Sequence, residues 1–278
     1  MVTADHASWG FRSSTGLGFT AASIVDAHFA ACRPTYLDLL GRVGIRPGWR
    51  VLDAGCGSGA FLPHLAALVG PGGALTAVDL AEENAALAAR APTVCPLRTD
   101  QGDLLDLPYP AASFDAVWCA NATQYLDDDE LAAALAELRR VVRPGGVVAV
   151  KDLDATLVTA RPGDPFLFTD FFRRAGATPG YARQLLRTRD LHRLLRAAGL
   201  AEVRQWTVLS EHHAPLSPEE WAFYGPSCAS VARQALALGV PGEWRPYLDP
   251  GAADHPLNHP DGYLSEGNVL AVGVVPSG

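Results

Sequence analysis

Along its middle third the chain alternates short continuous apolar runs with stretches whose apolar positions recur at helical spacing. The first helical stretch is Thr20 to Gly41, where Ile24, Val25, Phe29, Leu37 and Leu40 share a face, and Arg46-Pro47-Gly48 breaks it. Strands follow at Arg50–Asp53, Ala74–Asp79, Thr93–Thr99, Phe114–Cys119 and Val147–Asp152. Helices are predicted between them at Ala60–Val69, Glu82–Arg90 and Asp127–Val142, the last with an acidic start that suits the positive end of a helix dipole. Turns at Pro71-Gly72-Gly73 and Arg143-Pro144-Gly145-Gly146 punctuate the series. This alternation predicts an α/β fold built on a parallel sheet.

Beyond residue 155 the rhythm changes. Residues 156–182 mix phenylalanines with Pro and Gly, Asp190–Ala198 reads as a helix stopped by Gly199, and Glu202–Leu209 reads as a sixth strand. Residues 217–239 read as a helical insertion, 240–262 as a Pro/Gly/His-rich loop, and Asn268–Val275 as a last apolar strand.

Composition narrows the function classes. With 49% apolar and 19% charged residues among 278, the chain can build a sizeable core and is not of disordered type. Its formal charge of −8 and the lack of any Lys/Arg block argue against nucleic-acid binding, which needs a basic face. No apolar run reaches the roughly 18–20 residues of a membrane span, and Met1 to Gly10 lacks the basic start and apolar stretch of a signal peptide. A cytoplasmic protein is expected. The cysteines Cys32, Cys56, Cys95, Cys119 and Cys228 are scattered without metal-ligand spacing, so reduced thiols and no metal are expected. Lys151 is the single lysine, which reads as a coding bias.

The segment Val51-Leu52-Asp53-Ala54-Gly55-Cys56-Gly57-Ser58-Gly59 carries the chemistry. A buried strand ends in a turn whose glycines admit a ligand close to the backbone. With Ala60 the run Gly55-x-Gly57-x-x-Ala60 also satisfies a dinucleotide fingerprint, and Asp79 could hold ribose hydroxyls in either case. Two carboxylates separate the readings. Asp53 at the mouth of the turn would repel a pyrophosphate but suits an ammonium or sulfonium cation, and Asp103 offers a partner for an adenine amino group. The combination favours S-adenosylmethionine over NAD.

The order VLDAGCGSG, Asp79, GDLLDLP with SFD, and RPGG before strand 5 resembles the class I S-adenosylmethionine-dependent methyltransferases over about residues 45–152. That resemblance implies a Rossmann-like, doubly wound seven-stranded sheet, six strands parallel and the last antiparallel. It also implies cofactor contacts at Asp53, Gly55, Cys56, Gly57, Asp79, Leu80, Asp103, Leu104 and Asn121, with S-adenosylhomocysteine as product. In this frame residues 1–45 form an N-terminal helical cap on a core of 46–278, with 156–189 and 210–262 as lid insertions after strands 5 and 6.

The acceptor side is rich in rings. Phe19, Tyr36, Trp206, Trp221 and Tyr224 are the expected substrate contacts, and such a lining suits a mostly aromatic small molecule. His212 and His213 are the candidate proton acceptors, of which strand alternation lets one face the site, and Tyr125 could orient the substrate. Asp152 and Asp154 end strand 5 at the ligand edge. The tail PDGYLSEGNVLAVG and the segments KDLDATL and RQLLRTRDLHRLLRAAGL are similar to bacterial natural-product methyltransferases, including those acting at indole C3 of tryptophan-derived compounds. N- or O-methylation of another aromatic fits equally. The competing classes are an NAD-dependent oxidoreductase and a non-catalytic S-adenosylmethionine-binding protein. The protein is expected to be a monomer or homodimer.

Overall fold

The sheet grows from the glycine-turn strand outward. In the computed structural model, which describes residues 22–277, β1 (Arg50–Ala54), β2 (Ala74–Asp79), β3 (Leu97–Gln101), β4 (Phe114–Ala120), β5 (Val142–Arg161), β6 (Ala201–His213) and β7 (Tyr263–Val274) form one sheet. Their order is β3-β2-β1-β4-β5-β7-β6. β1 to β5 pair in parallel, and β7 runs antiparallel between β5 and β6. The seven-stranded, doubly wound sheet with one reversed strand is as expected.

Helices cover both faces, because strands of this kind are apolar on both sides. On one face α1 (Ala22–Gly41), α2 (Leu62–Val69), α5 (Leu167–Ala175), α6 (Tyr181–Leu186) and α8 (Pro218–Ala237) pack a core that includes Leu39, Leu65, Trp118, Leu270 and Trp244. On the other, α4 (Asp128–Val141) and α7 (Leu191–Ala197) bury Leu131, Leu135, Leu138, Leu191 and Leu195 against Val148, Val150 and Val269. The short α3 (Glu82–Ala88) follows β2. None of the described helices is long and apolar enough to cross a membrane.

The structure departs from the sequence reading at the last three strands. β5 continues to Arg161 rather than stopping at Asp152, β6 to His213 rather than Leu209, and β7 starts at Tyr263 rather than Asn268. The lid segments predicted at 156–189 and 210–262 therefore begin as sheet. The extra pairs include Glu266 with Ser210 and Arg161 with Tyr263. Buried polar residues kept the start of β7 out of the sequence reading: Ser265 and Glu266 are inside the fold, each with a hydrogen-bond partner. Gly267 permits the close approach of β5, since a Cβ there would lie 2.7 Å from a methyl of Leu157. The overhanging ribbon, α1 and α8 meet just past the end of β4, where Asn121, Lys151, Tyr36, Glu266 and Tyr224 are linked through side chains.

Candidate functional site

The turn after β1 is shaped by what surrounds its glycines. Gly55 has φ +74°, and a Cβ on it would stand 2.5 Å from the Cβ of Ala122, just past β4. The amides of Gly55 and Cys56 donate to the carbonyl of Val78 at 2.8 and 3.0 Å, tying the turn to β2. Asp53 is buried immediately before this turn, and its Oδ2 has no hydrogen-bond partner among the described residues. Burial pushes its carboxyl up, and the charge of Asp79 adds to the effect, bringing it to about 8. A buried acid with an orphan oxygen is a costly group in isolation. A cationic ligand group would satisfy it and restore its charge.

Asp79 ends β2 and accepts from the Gly57 amide on Oδ2 (2.8 Å), and from the Ala81 amide (3.0 Å) and Asn84 (3.2 Å) on Oδ1. Oδ2 keeps one lone pair for a hydroxyl. Leu104 lies 3.9 Å from the position of a Gly55 Cβ, so it belongs to the same wall. Cys56 is buried, and its thiol donates to the Gly57 carbonyl. Leu80 is exposed beside this wall. Asp103 is exposed and accepts from the Leu105 amide at 2.9 Å in a local turn. The donor set is what a nucleoside bearing a cation requires: a free acid, a hydroxyl acceptor and bare backbone.

Past β4 the surroundings become polar in a way the ring-rich sequence did not announce. Asn121 stands at φ +54° and joins two neighbours. Its Oδ1 accepts from Lys151 of β5 at 2.7 Å, and its Nδ2 donates to the Tyr36 hydroxyl at 3.2 Å. Lys151 is fully buried, with Nζ 3.7 Å from the centre of the Tyr36 ring. Burial lowers it to about 8, opposed by the charge of Glu266. Tyr36 lies 3.0 Å from Nε2 of His28, which is 2.9 Å from Oε1 of Glu266 on β7. Cys32 donates to the same oxygen at 3.2 Å, and Tyr224 of α8 lies 3.2 Å from its sulfur. Asn268 donates to Glu266 at 3.3 Å and to Ser210 at 3.0 Å.

Of the expected acceptor residues, the structure brings Tyr36 and Tyr224 into this cluster, beside Asn121, an expected cofactor contact. Trp206 is half-buried on β6, paired with Leu270, a step along the ribbon. Trp221 leaves the cluster: it stacks edge-on to His255 at 5.0 Å and lines a separate surface groove with Pro215, Leu257 and Pro260. Tyr125 stacks on Tyr181 at 5.2 Å, and burial pushes its hydroxyl up. Phe19 lies outside the described residues. Asp152 and Asp154 sit with other partners, Asp152 accepting from Thr123 and Asp154 pairing with Arg189 and Thr156.

The two candidate bases are strand residues rather than loop residues. His212 is buried, with Nδ1 2.7 Å from Glu220 and Nε2 buried without a partner among the described residues. His213 is exposed, its ring 5.0 Å from that of Tyr263. Sequence reasoning missed His28, Cys32, Lys151 and Glu266. A signal was present for the first two, since His28, Cys32 and Tyr36 recur every four residues on one helix face.

Residues 51–146 match the family profile described as "Methyltransferase domain". The malonyl-[acyl-carrier protein] O-methyltransferase of Erwinia billingiae is 42% identical over 111 residues, 40% of this chain and 41% of that protein. The nocamycin O-methyltransferase of Saccharothrix syringae is 37% identical over 121 residues, covering 42% of each. The matches thus span about two-fifths of the length of these curated relatives. Among solved structures, phosphoethanolamine N-methyltransferase 2 of Haemonchus contortus, crystallised with phosphomonomethylethanolamine and S-adenosylhomocysteine, superposes with a TM-score of 0.52. That match is 16% identical and covers 90% of this chain and 56% of that one, a likeness of fold.

Proposed function

The chain carries a methyltransferase domain on the sheet of the class I enzymes, and from that premise we propose that it transfers a methyl group from S-adenosylmethionine to a small-molecule acceptor. One observation carries the reading: Asp53, buried at the mouth of the glycine turn, has an oxygen that no described group satisfies. A sulfonium nucleoside with an α-ammonium group supplies a cation that this acid can pair with as it ionises, whereas a diphosphate brings no counter-charge for it. The dinucleotide reading lacks that support. Bound S-adenosylmethionine supplies a methyl carbon on a positively charged sulfur, open to in-line displacement.

The protein's own part is positioning. Asp53 and the backbone of Gly55 and Gly57 hold the amino-acid end, Asp79 takes a ribose hydroxyl, and Leu104 closes the base side. Leu80 adjoins Asp79 on the ribose side, and Asp103 completes the expected adenine wall. The acceptor lies beyond Asn121, between α1, α8 and the β5–β7–β6 ribbon, where Tyr36, Phe223 and Tyr224 supply rings. An aromatic metabolite with polar handles suits that enclosure. The two curated relatives above are named for transfer to oxygen, which supports an oxygen acceptor, and indole C3 remains the carbon alternative. His212 has one nitrogen held by Glu220, and the other is buried without a partner among the described residues.

Calorimetric titration with S-adenosylhomocysteine and with NADH tests the reading. Binding of the former and none of the latter is expected. Tight NADH binding without S-adenosylhomocysteine binding overturns it.

A further inference from the structure

Two imidazoles in this region are each held by a glutamate, and they differ in what they can reach. His212 is sealed: its free Nε2 is buried, and Tyr224 and Cys32 stand between it and Glu266. His28 follows Val25 by one turn of α1, and a methyl of Val25 lies 3.0 Å from the position of a Gly57 Cβ, so the ring stands beside the glycine turn with its Nε2 edge on the Tyr36 hydroxyl that Asn121 also bonds. Its side chain keeps 12% exposure. Phe223 stacks on the ring at 4.0 Å with planes 8° apart, which fixes its orientation.

The proton on His28 can be placed. Burial raises the carboxyl of Glu266, but the charge and hydrogen bond of His28, with Lys151 and Cys32, hold it at about 2. An ionised carboxylate only accepts. Nε2 is therefore the protonated nitrogen, donating to Glu266 at 2.9 Å, and the Tyr36 oxygen shares that proton. In the neutral ring the lone pair then lies on Nδ1, to which no hydrogen bond is made among the described residues. Among the described residues, the titratable groups bonded to His28 are Tyr36 on α1 and Glu266 on β7; behind them Lys151 lies on the Tyr36 ring, Cys32 bonds Glu266, and Tyr224 bonds Cys32.

We propose that His28 is the general base of the methyl transfer, taking on Nδ1 the proton of an O–H or N–H acceptor while Glu266 holds Nε2–H. The inference rests on the methyltransferase reading above. The acceptor's nucleophilic atom bonds the methyl carbon, and the carbon–sulfur bond breaks with its electron pair kept on sulfur. The acceptor proton passes to His28, whose new charge Glu266 balances. The substrate class follows: a phenol, an enol or a ring with an acidic N–H needs such a base, and a carboxylate, already ionised, does not. Glu266 acts through His28 as a positioning residue.

The test is transfer of labelled methyl from S-adenosylmethionine to 2-naphthol, indole and 2-naphthoic acid by the intact protein and its variants. Transfer to 2-naphthol or indole exceeds transfer to 2-naphthoic acid. His28→Ala lowers kcat at least 100-fold, leaves S-adenosylhomocysteine affinity unchanged, and regains turnover with added imidazole. Glu266→Gln lowers kcat without changing the KM for S-adenosylmethionine and moves the acidic limb of the pH profile to lower pH, because the imidazolium loses its counter-charge. A ¹⁵N NMR spectrum shows the Nε2–H tautomer at His28 and confirms folding of each variant. The proposal is overturned by full activity in His28→Ala, or by loss in His212→Ala alone. It is also overturned by preference for the carboxylate, by no transfer to any probe from a protein that binds S-adenosylhomocysteine, or by a stoichiometric zinc ion that Cys32→Ser releases. A protein that binds no S-adenosylhomocysteine fails the underlying reading instead.

Discussion

At the mouth of β1, Asp53 has lost water and found no partner for one oxygen, and its acidity records both facts. Ionising it before a cation arrives is unfavourable below about pH 8. A ligand that needs the carboxylate charged must therefore expel a proton, and its affinity rises with pH by up to roughly tenfold per unit below that point. Titration of S-adenosylmethionine between pH 6 and 7.5 is expected to show this rise, with proton release dependent on buffer. Asp53→Asn flattens it. This residue was legible in the sequence because a glycine turn and a strand end announce themselves locally. Lys151 and Glu266 were not: neither belongs to a local motif, and only the distant partners Asn121 and His28 give them meaning.

Elements whose ends are written in local chemistry were equally readable. The acidic start expected near residue 127 is a full capping box, Asp127 accepting from the Glu130 amide while the Glu130 side chain accepts from the Asp127 amide. Asp127→Ala is expected to cost about 1 kcal/mol, seen as a lower unfolding midpoint in urea with S-adenosylhomocysteine affinity unchanged. The ribbon formed by the ends of β5, β6 and β7 was misread because period-two patterning assumes that polar residues face water. Here Ser210, His212, Glu266 and Asn268 face α1 and α8 and bond one another or residues of those helices. A buried polar network erases the signal that would reveal its strand. The one-residue alternation still worked within it, turning His212 inward and His213 outward.

For the whole molecule, the buried acids set opposing pH dependences. Glu266 has a folded value depressed to about 2, so its contribution is present above its ordinary value near 4.5 and is lost as pH falls toward 2. Asp53 is raised to about 8, so its contribution is intact below its ordinary value of 3.8 and is lost as pH rises to 8. A shift of that size corresponds to several kcal/mol on the order of 1.4 per pH unit. The thermal midpoint of the ligand-free protein is expected to fall as pH rises from 5 to 8, and saturating S-adenosylmethionine to flatten that fall. A midpoint that climbs over this range would mean Asp53 is ionised without ligand.

The solitary lysine has one more consequence. Lys151 is wholly enclosed, so an amine-selective acylating reagent meets no side-chain amine on the native surface of the described residues. Apart from the chain's α-amino group, tagging at nitrogen must wait until the core opens. Each molecule that gains such an acyl mass on Lys151 has therefore come apart at least once, which turns a coding economy into a native tracer of breathing.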